Sequence, residues 1–187
     1  MRAENTSMGW TEDLSSGNEE AIMSRVIFNG HTHKVELYDQ AGTLRGSWDA
    51  YNNIDSQWAK ANYDGERHLA NGTYKVSIDA RFANRHPGKA DADTVDGSFG
   101  PYGIVRFDYP GHPGVGLHSG RALHKVSPGA MHATHGCVRT TDEAMAAITT
   151  LMAADPMESV TIEGNSHHSA KHGSHKFHHP QRGFHAS

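Results

Sequence analysis

Cysteine is nearly missing from this chain: Cys137 is the single example in 187 residues. An intrachain disulfide is therefore excluded, and the one thiol needs another reason to exist. A basic excess is missing too. Seventeen Lys and Arg stand against 21 Asp and Glu, a formal net charge of −4, so the broad positive footprint of a nucleic-acid binder is absent. No run approaches the roughly 18 consecutive apolar residues of a membrane span. The opening MRAENTSMGWTEDLSSGNEE holds no apolar stretch like the centre of a signal peptide, so an ordinary export signal is not expected.

What is present suits one domain with ragged ends, since 36% apolar residues can still build a core. Residues 1–24 are polar and aperiodic and are expected to be a flexible leader. Residues 165–187 carry seven of the sixteen histidines with little to pack, and are expected to be a disordered tail. Such a tail could bind transition metals or merely solvate the chain.

Between them, residues 25–164 alternate in short runs. Arg25 to Phe28 and Lys34 to Tyr38, split by Asn29-Gly30, predict a hairpin. Leu44 to Trp48, Thr73 to Ile78 after Asn71-Gly72, Ile104 to Phe107, Val115 to Leu117 and Ser159 to Ile162 read as further strands. Turns separate them, which points to a mainly β sandwich or barrel. The Pro- and Gly-containing stretch from Asp79 to Gly103 is a candidate lid or substrate wall. One helix is predicted from Thr140 or Thr141, where Thr140-x-x-Glu143 reads as a capping box. Met145, Ile148 and Met152 fall on one face, and Asp155-Pro156 ends the helix.

The chemistry concentrates in Leu117-His118-Ser119-Gly120 and in Met131-His132-Ala133-Thr134-His135-Gly136-Cys137-Val138-Arg139-Thr140. A cysteine attacks carbonyls as its thiolate, so it gains from a nearby base, His118 or His135, and from positive charge such as Arg139. Gly136 permits a tight turn that could aim consecutive N–H groups at one point, as an oxyanion hole requires. A bland reading stands beside each of these: Cys137 as an inert core thiol, His118 as a core histidine on a carbonyl, Arg139 as a surface charge. A zinc site from His132, His135 and Cys137 with His124 or His118 has suitable donors but no standard zinc spacing. Trp48, Trp58 and Tyr102 read equally as core or as groove walls.

These residues resemble the signature of the YkuD-type L,D-transpeptidase catalytic domain: a His, a gap, then Ser/Thr-His-Gly-Cys, an aliphatic residue and Asn or Arg. His118, Thr134, His135, Gly136, Cys137, Val138 and Arg139 match it in turn. Lys34 to Gly42, Asn71 to Tyr74 and Phe99 to Gly103 resemble the family's flanking segments, so the likeness runs from about Arg25 to Glu163. Ser119 departs from the usual His-Gly.

The resemblance implies a YkuD-like β-sandwich or barrel with one short helix after the cysteine loop. It implies Cys137, His118, His135 and Gly136 as catalytic groups, and Arg139, Ser119, Thr134 and Tyr102 as substrate contacts, with no metal and no cofactor. The implied substrate is a peptidoglycan tetrapeptide stem, cleaved between its diamino acid and D-Ala in the cell envelope. The outcome would be trimming, D-amino acid exchange or a 3-3 cross-link, and carbapenems would trap the thiol. With no export signal in view, the chain also resembles L,D-transpeptidase-like type VI secretion effectors, which act in a rival's periplasm and imply an immunity protein and a secretion component as partners. A housekeeping cross-linker, a sortase-like enzyme and a metal- or wall-binding module are the alternatives.

Overall fold

The computed structural model describes residues 23–54, 68–77, 94–112 and 114–165. Most of the expected leader and tail, Trp58, and residues 79–93 of the candidate lid lie outside them. Ser24, placed in the leader, opens the first strand fully buried, with Oγ donating to Asp155 O at 3.0 Å. Asn165, placed in the tail, is 4% exposed and bonded into the domain.

The first strand, β1 (Ser24–Asn29), alternates buried and half-buried residues, and β2 (Lys34–Tyr38) mirrors it, as a period of two requires when one face meets a core. They pair antiparallel, Val26 opposite Leu37 and Phe28 opposite Val35. Asn29 Oδ1 fixes the turn by accepting from His31 N and Thr32 N. Beyond them come β3 (Leu44–Tyr51), β4 (Gly72–Lys75), β5 (Ile104–Arg106), β6 (Gly116–His118), β7 (Val138–Thr140) and β8 (Met157–Glu163). They form one mixed sheet in the order β4-β8-β1-β2-β3-β7-β6-β5. Its edges meet: Val76 bridges Phe107, Ser77 N donates to Arg106 O at 3.0 Å, and Asp108 N donates to Lys75 O at 2.9 Å. The sheet thereby curls onto itself and removes its exposed edges.

The fold is mainly β, and the helix among the described residues, α1 (Asp142–Ala154), follows the cysteine loop by one short strand. Its buried face is Ala144, Met145, Ile148 and Met152, which join Val26, Phe28, Val35, Leu37, Leu117, Val138 and Val160 in one core. Trp48 packs half-buried against that core. The cap differs from the expectation. Thr141 is the N-cap and accepts from Ala144 N, whereas Thr140 closes β7 and donates its hydroxyl to Asp49 O. Alanine stands three residues after the true cap, so the capping box is not formed; the Glu143 carboxylate, two residues after the cap, bonds the Thr141 side chain and its own backbone N–H instead.

Packing outweighs capping here. Ile148→Ala should cost about 2 to 5 kcal/mol, and Thr141→Ala about 1 kcal/mol, measured by urea unfolding with the slope unchanged.

Candidate active site

The site is laid out by the pairing of β6 with β7. These strands run parallel, with Leu117 beside Val138 and His118 beside Arg139. Leu117 and Val138 are in the core, 1% and 0% exposed, so alternation sends His118 and Arg139 to the opposite face. Cys137 stands just before β7, two residues ahead of Arg139. Ile104 on β5 and Tyr51 on β3 extend this face by pairing with His118 and Arg139. The face is roofed rather than bare: His118 is 2% exposed and Arg139 4%.

His118 Nδ1 lies 2.8 Å from Ser119 O. A carbonyl only accepts, so Nδ1 carries the hydrogen, and in the neutral form of the ring the lone pair is then on Nε2. The edge-on ring of Phe99, 5.1 Å away between centroids, holds the imidazole from the roof. Ser119 O also accepts from Arg139 Nη1 at 2.7 Å. The same guanidinium donates to Ser98 O at 2.9 Å and, through Nε, to His132 O at 3.1 Å. Arg139 thus ties three separate stretches of the roof to β7. Among the described residues the fully buried Ser119 hydroxyl has no hydrogen-bond partner, and it is wedged against Gly100. Gly100 has φ +76°, and a Cβ there would run into Ser119 Oγ and Gly120 N, so only glycine fits.

The cysteine loop is held from within and from behind. Thr134 Oγ1 donates to Cys137 O at 2.6 Å and accepts from Gly136 N at 3.3 Å, with Gly136 at φ +134°. Of the consecutive N–H groups expected to converge on an oxyanion, that of Gly136 is therefore turned back onto its own loop. Behind the loop, Asn52 Nδ2 donates to Gly136 O at 2.8 Å and to Cys137 O at 3.1 Å. Asn52 Oδ1 accepts from Leu69 N at 2.8 Å and from Asn165 Nδ2 at 3.0 Å. Cys137 itself is half-buried with its thiol in no disulfide, and His135 beside it is exposed. Tyr102 is 41% exposed at the tip of the 100–103 turn.

Sequence reasoning missed Asn52 and Asn165. Asn52-Asn53 after a strand reads as a turn, and nothing local marks a side chain that reaches 84 residues along the chain. The zinc constellation is not gathered: among the described residues no three His, Cys, Asp or Glu side chains are placed to hold a metal. A cavity of about 430 Å³ lined by Ser77, Arg106, Asp108 and Tyr109 sits at the β5–β6 hairpin, and neither Cys137 nor His118 lines it.

Residues 24–162 match the family model of the YkuD L,D-transpeptidase catalytic domain. Among solved structures, the crystal structure of L,D-transpeptidase (Yku) from Stackebrandtia nassauensis is similar at 14% identity and a TM-score of 0.46, over 76% of this chain. The chain spans 56% of the length of that structure. No curated protein matches the sequence.

Burial also marks His132, 5% exposed, with Nδ1 donating to Ser127 O at 3.1 Å and its ring 4.4 Å from that of His124. Removal from water, then the charge of Arg139, pushes its pKa down to about 4. An unfolded histidine titrates near 6.5. Above that pH both states are neutral, and below it the unfolded chain binds the proton first. Stability should therefore fall as pH drops from about 6.5 toward 4, and His132→Gln should flatten that part of the profile of unfolding midpoint against pH.

Proposed function

The chain belongs to the YkuD L,D-transpeptidase catalytic-domain family, and from that premise we propose that it is a cysteine acyltransferase acting on peptidoglycan stem peptides. The observation that supports the reading is the buried His118, whose Nδ1 donates to the Ser119 carbonyl and which pairs with Arg139, two residues after Cys137. The reading makes Cys137 the nucleophile, His118 the base and the Ser119 carbonyl the group that orients the base.

In this reading Cys137 Sγ gives its proton to His118 Nε2 and attacks the carbonyl of the diamino acid in a tetrapeptide stem. The S–C bond forms, and the carbonyl oxygen becomes an oxyanion that the Cys137 N–H receives. Collapse breaks the C–N bond, and His118 returns the proton to the departing D-Ala amine, leaving a thioester. A side-chain amine of a second stem then gives a cross-link, a free D-amino acid gives exchange, and water gives trimming. All three share the first half-reaction.

The expected contacts divide by exposure. Exposed His135 and Tyr102 are assigned to the approach of substrate. Thr134 and Arg139, each 4% exposed and bonded to main-chain carbonyls, are assigned to holding the loop and roof, in place of the substrate contact that the resemblance implies. Ser119, fully buried, is assigned to orienting His118 through its carbonyl.

Purified tetrapeptide muropeptides incubated with the protein should yield tripeptide, exchanged or 3-3 linked products by mass spectrometry. Cys137→Ala should abolish them, and His118→Ala should slow them by roughly 100- to 10,000-fold. Muropeptides left unchanged by the wild-type protein, or products that persist in Cys137→Ala, would sink the reading.

A further inference from the structure

Asn52 is 4% exposed, and its partners settle which way its amide faces. Leu69 N–H can only donate, so it meets Oδ1, while Gly136 O and Cys137 O can only accept, so they meet Nδ2. Two consecutive carbonyls thus turn toward one side chain. In an extended strand they would point to opposite sides, so the backbone at Cys137 is bent, and Asn52 with Thr134 Oγ1 holds the bend.

Peptide planarity converts this grip into a direction. In a trans peptide the C=O and N–H point opposite ways, and cis bonds are absent among the described residues. The Gly136 carbonyl aimed at Asn52 therefore aims the Cys137 N–H away from it. We propose that Asn52 is a positioning residue for acyl transfer: by gripping the Gly136 and Cys137 carbonyls, it fixes the direction of the Cys137 N–H that receives the oxyanion. The inference rests on the cysteine-acyltransferase reading and adds to it the side chain that keeps its oxyanion donor aimed. Asn165 braces Asn52 from the far side, with Nδ2 bonded to Asn52 Oδ1 at 3.0 Å and to Leu69 O at 2.8 Å, and its own amide touches neither Gly136 nor Cys137.

Two reactions of the same thiol separate aiming from folding. With p-nitrophenyl acetate, Cys137 Sγ adds to a carbonyl, an S–C bond forms, the C–O bond to p-nitrophenolate breaks, and an oxyanion develops on the way. With iodoacetamide, the S–C bond forms as C–I breaks at a saturated carbon, and no oxyanion develops. Both rates are followed by intact-protein mass spectrometry on the folded full chain, checked by circular dichroism.

Asn52→Ala should lower acylation by roughly 10- to 100-fold, below the roughly 100- to 1,000-fold loss on deleting an oxyanion donor outright. Alkylation should stay within about threefold. Asn165→Ala removes a buried amide from the same network and should lose stability while keeping its ratio of acylation to alkylation near wild type. Asn52→Gln, which carries the amide on a longer stem, supplies a second reading of the ratio if Asn52→Ala does not fold. An unchanged ratio in the folded Asn52 variant overturns the proposal. So does an equal fall in Asn165→Ala, since general loosening would then explain both. A wild-type thiol that is alkylated but never acylated defeats the acyltransferase reading itself, a result distinct from either.

Discussion

A guanidinium cannot shed its charge in a protein, so Arg139, at 4% exposure, obliges its surroundings to supply acceptors. They come from the carbonyls of Ser98, Ser119 and His132, which belong to three stretches of chain with no regular ladder between them. A hydrogen bond to a charged group contributes about 1.5 to 3 kcal/mol, so three together approach a whole-domain stability of about 5 to 15 kcal/mol. That ratio decides the matter: the roof cannot drift from β7 without a penalty comparable to a large part of folding. The roof that results also depresses the His132 pKa, through burial first and through the same positive charge second.

The curled sheet supplies what Arg139 needs, a strand whose two faces do different work. Val138 goes into the core with Leu117 while Arg139 and His118 go to the other side, so one register serves both packing and chemistry. A slip of one residue in β7 would send the guanidinium into the core and the valine under the roof, and both changes are unfavourable. Core burial therefore sets the register, and the register sets where His118 and Arg139 stand.

Much of this is legible along the chain, and the limits follow from range. The β1–β2 hairpin can be read because its partners are neighbours in sequence and its turn carries Asn29-Gly30. The apolar face of α1 can be read for the same reason. By contrast β7 is three residues long and buried on both faces, so Val138-Arg139-Thr140 shows no alternation of polarity to mark it as a strand. The expected helix cap lies one residue early because Thr140 and Thr141 are chemically alike, and only the pairing of Ala50 with Thr140 commits the first to the sheet. The grip of Asn52 on Gly136 and its bond with Asn165 span 84 and 113 residues, beyond any local signal.

The cysteine loop ends up determined from two sides by groups of different kind. On the roof side Arg139 takes the His132 and Ser119 carbonyls, and on the inner side Asn52 takes those of Gly136 and Cys137. Thr134, between them, bonds within the loop itself. Each hydrogen bond alone contributes about 1 kcal/mol net, too little to hold a loop against its conformational entropy of about 1 to 2 kcal/mol per residue. Together, and with a buried charge that must stay satisfied, they exceed it. The loop can therefore keep Gly136 at φ +134° and the peptides flanking Cys137 bent without help from a bound ligand. In the acyl transfer proposed for this site, a backbone fixed before substrate arrives has little reorganisation left to do, which is how main-chain dipoles contribute most.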